Sequence, residues 1–327
     1  MNSFGRIFRM HIFGESHGKG VGLTLDGVPS GMALTKDDFI GDISRRKPGA
    51  KGTTPRLEKD MPEILSGVFE GKTTGAPLSI WFSNENVRSK DYSFVKTTPR
   101  PGHSDWVADK KFKGFNDYRG GGHFSGRLSL CLVAAGVVAK KIINDISISA
   151  GLIEAGGERN FEEAIDQAIA EGDSIGGIIE CKAQGMPVGL GEPFFDSLES
   201  AIAHLVFAVP ATKGIEFGSG FSAAKMKGSE HNDAILDESG KTESNHAGGI
   251  NGGISNGNDL VFRVAIKPTS SIAKAQNTLN TESGETDKLE IKGRHDACIA
   301  LRAPVVIEAI TAIALADLSV VNKAIHG

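Results

Sequence analysis

Residues 13–20 read FGESHGKG, and the fold turns on what Gly14-Glu15-Ser16-His17-Gly18 does within them. The five residues match the G-x-S-x-G pattern of a nucleophile elbow, where a serine sits on a sharp turn between a central strand and a helix. The flanks deny that context. Upstream, Phe8, Met10 and Ile12 alternate with Arg9 and His11, as in a half-buried strand. Downstream, Val21, Leu23 and Leu25 alternate again as far as Pro29, predicting a second strand where an elbow needs a helix. The stretch is expected to be the turn of a hairpin carrying Ser16 and His17. A serine hydrolase working through Ser16 is the alternative.

Working outward, "MALTKDDFIGDISRRK" places Thr35 as an N-cap, with Phe39, Ile40 and Ile43 at helical spacing. "LSGVFEGKTTGAPLSIWFSN" reads as two strands joined by a turn. From Asn84 to about Asp117 runs a polar loop too long to be mere connection, which makes it a functional candidate. "YRGGGHFSG" then leads into a helix from Arg127 to about Asn144, apolar on nearly all sides and so expected in the interior. The second half predicts helices at "FEEAIDQAIAEG", "SLESAIAHLVFAV" and "PVVIEAITAIALADLSVVNKAI". Strands are expected at "GGIIECKAQG", "GIEFGSGF" and "DLVFRVAIKP". Helices and strands interleave without a regular βαβ beat, which predicts a layered α+β fold, one domain over residues 1–327.

Bulk properties narrow the function classes. The 327 residues are 39% hydrophobic and 23% charged, with a net charge of −4, so the whole molecule has no attraction for nucleic acid or an anionic membrane. Any anionic ligand must be caught by a local basic cluster. Cys131, Cys181 and Cys298 lack metal-ligand spacing and sit in apolar runs, predicting buried free thiols in a reducing compartment. The N-terminus lacks the apolar core of a signal peptide, and the apolar run Leu128–Ala139 is too short to span a bilayer. A cytoplasmic soluble protein is expected.

Cations gather in glycine- and proline-containing loops: Arg45, Arg46, Lys47, Lys51 and Arg56, then Arg88 and Lys90, Arg100, Arg119 and Arg127, and Arg294. Guanidinium groups suit bidentate capture of carboxylate and phosphate oxygens, although any single one could simply decorate a solvated loop. "RGGGHFSGR" precedes a helix and could offer backbone N–H groups to an anion, but it is neither a Walker A loop nor a dinucleotide fingerprint. "HAGGINGGISNG" (246–257) allows close backbone approach to a flat ligand. "KPTSS" (267–271) ends a strand with a cation and three hydroxyls.

Among the histidines, His11, His204 and His326 fit structural or terminal positions, and His231 and His246 lie in polar loops. His17, His103, His123 and His295 lie in loops with glycine or arginine. An unperturbed imidazole, with a pKa of roughly 6.5, suits proton transfer near neutral pH. No H-x-x-x-H or comparable spacing joins them, so no metal site is expected.

Taken in order, GESHG, "RRKPG…TTPR", "ILSGVFEGKTTGAP", "RSKDYS", "RPGHSD", "DYRGGGHFSGR", "EGDSIGG", "GLGEPFFD", "KGIEFGSGF", "SNHAGGINGGISNG", "KPTSSI" and "GRHDACI" span essentially the whole chain. In this order the sequence resembles the chorismate synthases. The resemblance implies a β-α-β-α sandwich and a homotetramer. It also implies a lyase that converts 5-enolpyruvylshikimate-3-phosphate to chorismate and phosphate, the last step of the shikimate pathway. That reaction is a 1,4-anti elimination needing reduced FMN without net redox change. NADPH would act at most as an indirect reductant, because no added reductase domain is visible.

Carried over by position, His17 resembles the general acid that protonates the departing phosphate. His103 resembles the partner that protonates reduced flavin or balances its charge, and Asp296 the carboxylate assisting proton removal. Ser16 then becomes a substrate neighbour and the histidine the catalyst. For the flavin the resemblance implicates His123, Phe124, Ser125, Pro210, Ala211, Gly252, Lys267, Pro268, Thr269, Ser270, Ser271 and Arg294. For the substrate it implicates Arg45, Arg46, Lys51, Arg119 and Arg127. Departures exist: the family's usual "GGGRSSARET" reads GGGHFSGRLS here, and Ala297 stands where proline is usual. A flavin- or phosphate-binding relative without activity is the remaining alternative.

Overall fold

The alternation around GESHG does produce two antiparallel strands. In the computed structural model of the protein, which describes residues 1–49, 51–53, 59–85, 89–291 and 295–327, β1 (Ser3–Phe4) is followed by β2 (Arg9–Gly14) and β3 (Gly20–Asp26). Then come β4 (Glu63–Ser66), a small hairpin of β5 (Val68–Phe69) and β6 (Lys72–Thr73), and β7 (Leu78–Ser83). The first sheet has the order β1-β2-β3-β7-β4, with every neighbour antiparallel. Phe8 and Met10 are buried while Arg9 and His11 are exposed, as their alternation requires. Central β3 buries Val21, Leu23 and Leu25 completely.

The second sheet is built from β8 (Ser147–Ala155), β9 (Gly177–Gln184), β10 (Thr212–Phe217) and, after the hairpin of β11 (Ile250–Asn251) and β12 (Ile254–Ser255), β13 (Leu260–Ile266). Its order is β10-β13-β9-β8, again antiparallel throughout. Strand β8 went unread in the sequence, because Ser147, Ser149 and Gly151 dilute its alternation to half-buried positions. A last hairpin joins β14 (Gln276–Leu279) to β15 (Thr286–Leu289).

Between the sheets lie α3 (Ser129–Ile142) and α7 (Pro304–His326). Cys131 of α3 directs its thiol to the Gly22 carbonyl of β3 at 3.3 Å. Thr311 of α7 lies 3.6 Å from the Cys181 sulfur of β9, so the helix pair bridges the two sheets. The layered α+β sandwich expected from the sequence is therefore what forms, with its most apolar helices inside. One hydrophobic cluster runs through both sheets and both helices. All three cysteines are buried free thiols, and burial pushes Cys131 and Cys181 up to about 12.

By length and composition, Arg119–Ile142 and Pro304–His326 could cross a bilayer, a possibility the sequence reading missed for the second. Of their most apolar windows, 67% and 83% are buried inside the fold, as in interior helices. Asp317 reinforces this placement of α7. Its carboxylate accepts the backbone N–H groups of Arg6, Ile7 and Phe8 at 2.9–3.0 Å, tying the chain start to the core.

Where α3 meets α7, a Cβ added at Gly136 would stand 2.4 Å from the Ala309 Cβ and 2.6 Å from its Cα. Gly136→Ala is expected to force the helices apart at a cost of about 1–3 kcal/mol, read as a lower urea midpoint. A midpoint equal to the parent's would show that the helices do not approach so closely.

The remaining helices are α1 (Ile40–Arg46), α2 (Asp105–Lys111), α4 (Glu162–Glu171), α5 (Leu198–Val206) and the single turn α6 (Gly228–His231). Thr35 takes part in a capping box with Asp38, whose carboxylate accepts the Thr35 N–H at 2.7 Å, but the first turn is 3-10 and α1 begins only at Ile40. The supposed loop from Asn84 to Asp117 contains a 3-10 segment, Ser89–Lys96, and α2. Its polar composition hid both, since each buries little apolar surface.

Candidate active site

The β2–β3 turn presents Ser16 and His17, both almost fully buried. No helix follows Ser16; β3 does, so the nucleophile-elbow reading fails on geometry. His17 Nδ1 lies 3.2 Å from Ser16 Oγ, and the edge of its ring meets the Tyr92 ring, centroids 5.0 Å apart. The side chain of Asn84 clamps the turn from outside. Its amide nitrogen lies 3.0–3.1 Å from the carbonyls of Glu15, Ser16 and Gly18, while its oxygen accepts from Arg127 Nε at 2.8 Å.

Across from this turn runs the triple glycine, Gly120 to Gly122, with φ of 59°, 81° and 53°. L side chains rarely adopt such a left-handed run. Space forbids one at Gly120, where a Cβ would lie 2.2 Å from His17 Nδ1, and is tight at Gly121, where a Cβ would lie 3.3 Å from His103 Cε1. Two of the histidines singled out in the sequence thus lie against consecutive residues of one glycine turn.

His103 belongs to a compact charged group. Its Nδ1 is 2.6 Å from Asp105 Oδ1 and 3.1 Å from Arg100 Nη2. Arg100 grips Asp105 in a bidentate pair at 2.7 and 2.8 Å and reaches Ser271 Oγ at 3.1 Å. His103 lines a cavity of about 600 Å³, within the range of small-molecule sites. Phe124, Leu132, Pro210 and Ala211 supply apolar wall, and His123, Ser125 and Lys267 to Ser271 supply polar groups. Burial pushes the Lys267 amine below its ordinary value, and Lys213 adds to this. The Thr269 hydroxyl is buried with no partner among the described residues, so this wall has an unmet hydrogen-bonding group.

A second cavity of about 290 Å³ adjoins the first, sharing Ser125, Gly126, Ser129, Pro210 and Ile299 with it. Ser16, Arg46, Arg127, Arg302, Asp60 and Asp296 give it its chemistry. Asp60 lies between two guanidiniums, paired with Arg127 at short range and 3.5 Å from Arg46 Nη1. Arg46 is further held by Ser129 Oγ at 3.1 Å and the Arg127 carbonyl at 3.3 Å. Burial pushes Arg46 down to about 10; Asp60 opposes the shift while Arg302 and Arg127 add to it, and the group remains a cation at neutral pH. Arg302 donates to both oxygens of Asp296 at 3.2 and 3.3 Å and to the Arg46 carbonyl at 3.2 Å. Three arginines against two carboxylates leave this small cavity cationic inside a net-acidic protein.

Residues 8–320 match the family model described as chorismate synthase. A chorismate synthase of Chitinophaga pinensis is 63% identical over 324 residues, covering 99% of this chain and 98% of the relative. The chain belongs to the chorismate synthase family. A second relative of that name, from Dehalococcoides mccartyi, is 45% identical, covering 97% of this chain and 96% of its own length. A solved structure titled "Crystal Structure of Chorismate Synthase" superposes with a TM-score of 0.75 at 27% identity, covering 99% of this chain and 94% of the other. The protein is thus an enzyme of the chorismate synthase type, a lyase of the shikimate pathway, and the hydrolase and non-catalytic alternatives are not favoured.

Among chorismate synthase residues expected at the flavin, His123, Phe124, Ser125, Pro210, Ala211 and Lys267 through Ser271 all line the larger cavity. Gly252 does not; it sits at the tip of the β11–β12 hairpin with open space around it. His123, replacing the family's usual arginine, ties the glycine turn to its surroundings: Nδ1 lies 2.8 Å from the Gly14 carbonyl and Nε2 3.0 Å from Asn2 Oδ1.

Of the expected substrate residues, Ser16, Arg46 and Arg127 line the smaller cavity and three others do not. Arg45 turns away and forms a bidentate pair with Glu308, 2.6 Å at each contact. Lys51 pairs with Asp166, and Arg119 with Asp117 at 2.8 Å. Arg56, Arg88, Arg294 and the Lys90 side chain lie outside the described residues. Asp60, Asn84, Arg100, Asp105 and Arg302 were not assigned to the site from the sequence. Arg302, six residues after Asp296 and at the end of the 3-10 turn Ile299–Arg302 that precedes α7, had a positional signal. Asp60 had none.

Proposed function

We propose that this chain converts 5-enolpyruvylshikimate-3-phosphate to chorismate and phosphate, with reduced FMN held by the larger cavity and the ring substrate by the smaller one. The observation that carries this reading is the junction of an apolar, hydroxyl-edged cavity with a small cationic one. The substrate bears two carboxylates and a phosphate, which match the guanidiniums of Arg46, Arg127 and Arg302. The larger cavity fits a flavin by its donor set: apolar wall for a ring system, Lys267 and three hydroxyls for oxyanions, and the unpartnered Thr269 Oγ1. Held by Lys267, Thr269, Ser270 and Ser271 against Phe124 and Pro210, reduced FMN would supply transient electron density for phosphate loss, with no net change of oxidation state.

The chain's own residues do the rest. The His17 imidazolium gives its proton to the departing phosphate oxygen, so less negative charge separates in the transition state. Asp296 takes up the proton lost from the ring at a carboxylate oxygen that Arg302 orients. Asp60 holds Arg46 and Arg127 at fixed positions before the substrate arrives, so their orientation costs little at the moment of binding. Burial of Ser16 and His17 keeps water from the leaving group.

Residues 1–327 are read as one domain, acting as a homotetramer in the cytoplasm. Exposed Phe194 and Phe195 suit a surface that another chain covers, and three buried thiols suit a reducing compartment. Anaerobic assay with chemically reduced FMN is expected to release phosphate and chorismate in equal amounts. Absence of release under those conditions would overturn the assignment. NADPH with oxidised FMN and no other reductant is expected to give no sustained turnover; steady product formation there would identify an intrinsic flavin reductase.

A further inference from the structure

We propose that Asp105, gripped by Arg100, is a positioning residue that fixes His103 with its ring proton on Nδ1 and Nε2 on the edge that faces the glycine turn beside the larger cavity. The inference rests on the reading of His103 as a proton donor at the larger cavity and adds how that donor is set. At 2.6 Å, a ring nitrogen and an anionic oxygen cannot meet lone pair to lone pair, so a proton lies between them. Burial alone would raise the Asp105 carboxyl, but hydrogen bonds from Arg100 and His103 outweigh it and hold the group well below the usual carboxylate range. The proton between Asp105 and His103 therefore belongs to the imidazole. Arg100 Nη2 carries two hydrogens; one goes to Asp105 Oδ1 at 2.8 Å, and at 3.1 Å from His103 Nδ1 the other is the longer contact, against 2.6 Å for the carboxylate.

The opposite edge of the ring faces the glycine turn, since a Cβ on Gly121 would lie 3.3 Å from Cε1 and 3.5 Å from Nε2. The backbone beside His103 is also pinned: Lys267 Nζ and Ser270 Oγ donate to the Gly102 carbonyl at 3.0 and 2.8 Å. The charged groups around the imidazole are Arg100 and Asp105 on its own segment and Lys267 at the end of β13, with His295 facing Arg100. In the imidazolium both nitrogens carry a proton. Transfer breaks the Nε2–H bond, forms a bond from that hydrogen to an anionic acceptor in the cavity, and leaves neutral imidazole with Nδ1–H, the tautomer Asp105 favours. A histidine side chain free in water favours Nε2–H, a form that still carries its hydrogen on that edge and so is not the direct product of transfer from Nε2.

The test is a long-range proton–nitrogen correlation spectrum of the full chain labelled with ¹⁵N-histidine, recorded near pH ~8.5, where imidazoles are neutral. Signals of His103 are assigned by their loss in His103→Gln. The expected result is the Nδ1–H tautomer; an Nε2–H tautomer in the parent chain overturns the proposal. Asp105→Asn is expected to shift the tautomer toward Nε2–H and lower anaerobic kcat on the order of 10²- to 10⁴-fold. The KM for substrate should stay within about threefold, and Asp105→Glu should restore part of kcat, because a carboxylate returns. Parental kcat and tautomer in Asp105→Asn would refute the role. If His103→Gln itself turns over at the parental rate, the proton-donor reading fails, while the tautomer spectrum still judges the positioning claim.

Discussion

His17→Ala is expected to lower the rate of phosphate release by about 10²- to 10⁴-fold, the usual size of a lost general acid. The size follows from the leaving group. A phosphate departing from carbon takes a bonding pair onto an oxygen already part of an anion. Without a proton donor that charge must separate unaided. His17 is 5% exposed, packed against Tyr92 and within 3.2 Å of Ser16 Oγ, so no solvent molecule can take its place at low cost. Ser16→Ala should cost far less, since the hydroxyl only positions. Gly120→Ala should resemble His17→Ala in rate, because its methyl group would lie on His17 Nδ1. Single-turnover phosphate release under anaerobic reduced FMN measures all three, with thermal melts to confirm folding. A His17→Ala enzyme as fast as the parent would remove histidine from the chemistry, and a Ser16→Ala enzyme slower than His17→Ala would reverse the assignment.

Arg46→Ala is expected to weaken substrate binding by roughly 30- to 4,000-fold, equivalent to about 2–5 kcal/mol for one partner of a desolvated charge pair. Arg46 is 5% exposed, so its cation meets the substrate with little water to share the field. Removing it also leaves Asp60 balanced by Arg127 alone, an anion facing an anionic ligand. Arg46→Lys keeps the charge but loses the planar fork, and should fall between the two. The neighbouring Arg45→Ala supplies the contrast. Arg45 pairs with Glu308 on the far side of α1, so substrate affinity should change no more than about twofold, while stability falls by about 1–3 kcal/mol as Glu308 loses a partner. Calorimetric titration of the substrate together with urea midpoints separates the two effects. Equal loss of affinity in both variants would mean that the cavity lined by Arg46 is not where the substrate sits.

On this reading stability and binding divide between adjacent arginines of one helix, and nothing local announces which does which. Arg45 and Arg46 are consecutive on α1 and point about a hundred degrees apart around it. Their sequence context is shared. Only the packing of α1 beside α3 and α7 sends one to Glu308 and the other to the cavity.

The sequence alone determined what depends on neighbours a few residues apart. Alternation at Phe8–Ile12 and Val21–Leu25 set two strands and so ruled out the elbow; all-round apolar composition set α3 as an interior helix and the closing apolar stretch set α7 as a helix; the order of motifs carried the family. Strand β8 and the helices inside the polar stretch 84–117 escaped, because weak alternation and low apolar content leave no periodic signal. Tertiary structure alone decided the pairings. Asp60 between Arg46 and Arg127, Asp296 on Arg302, and the two histidines against Gly120 and Gly121 exist because distant segments converge. A charge takes its role from the groups that share its low-dielectric surroundings, and those are assembled by folding of the whole chain rather than by its local pattern.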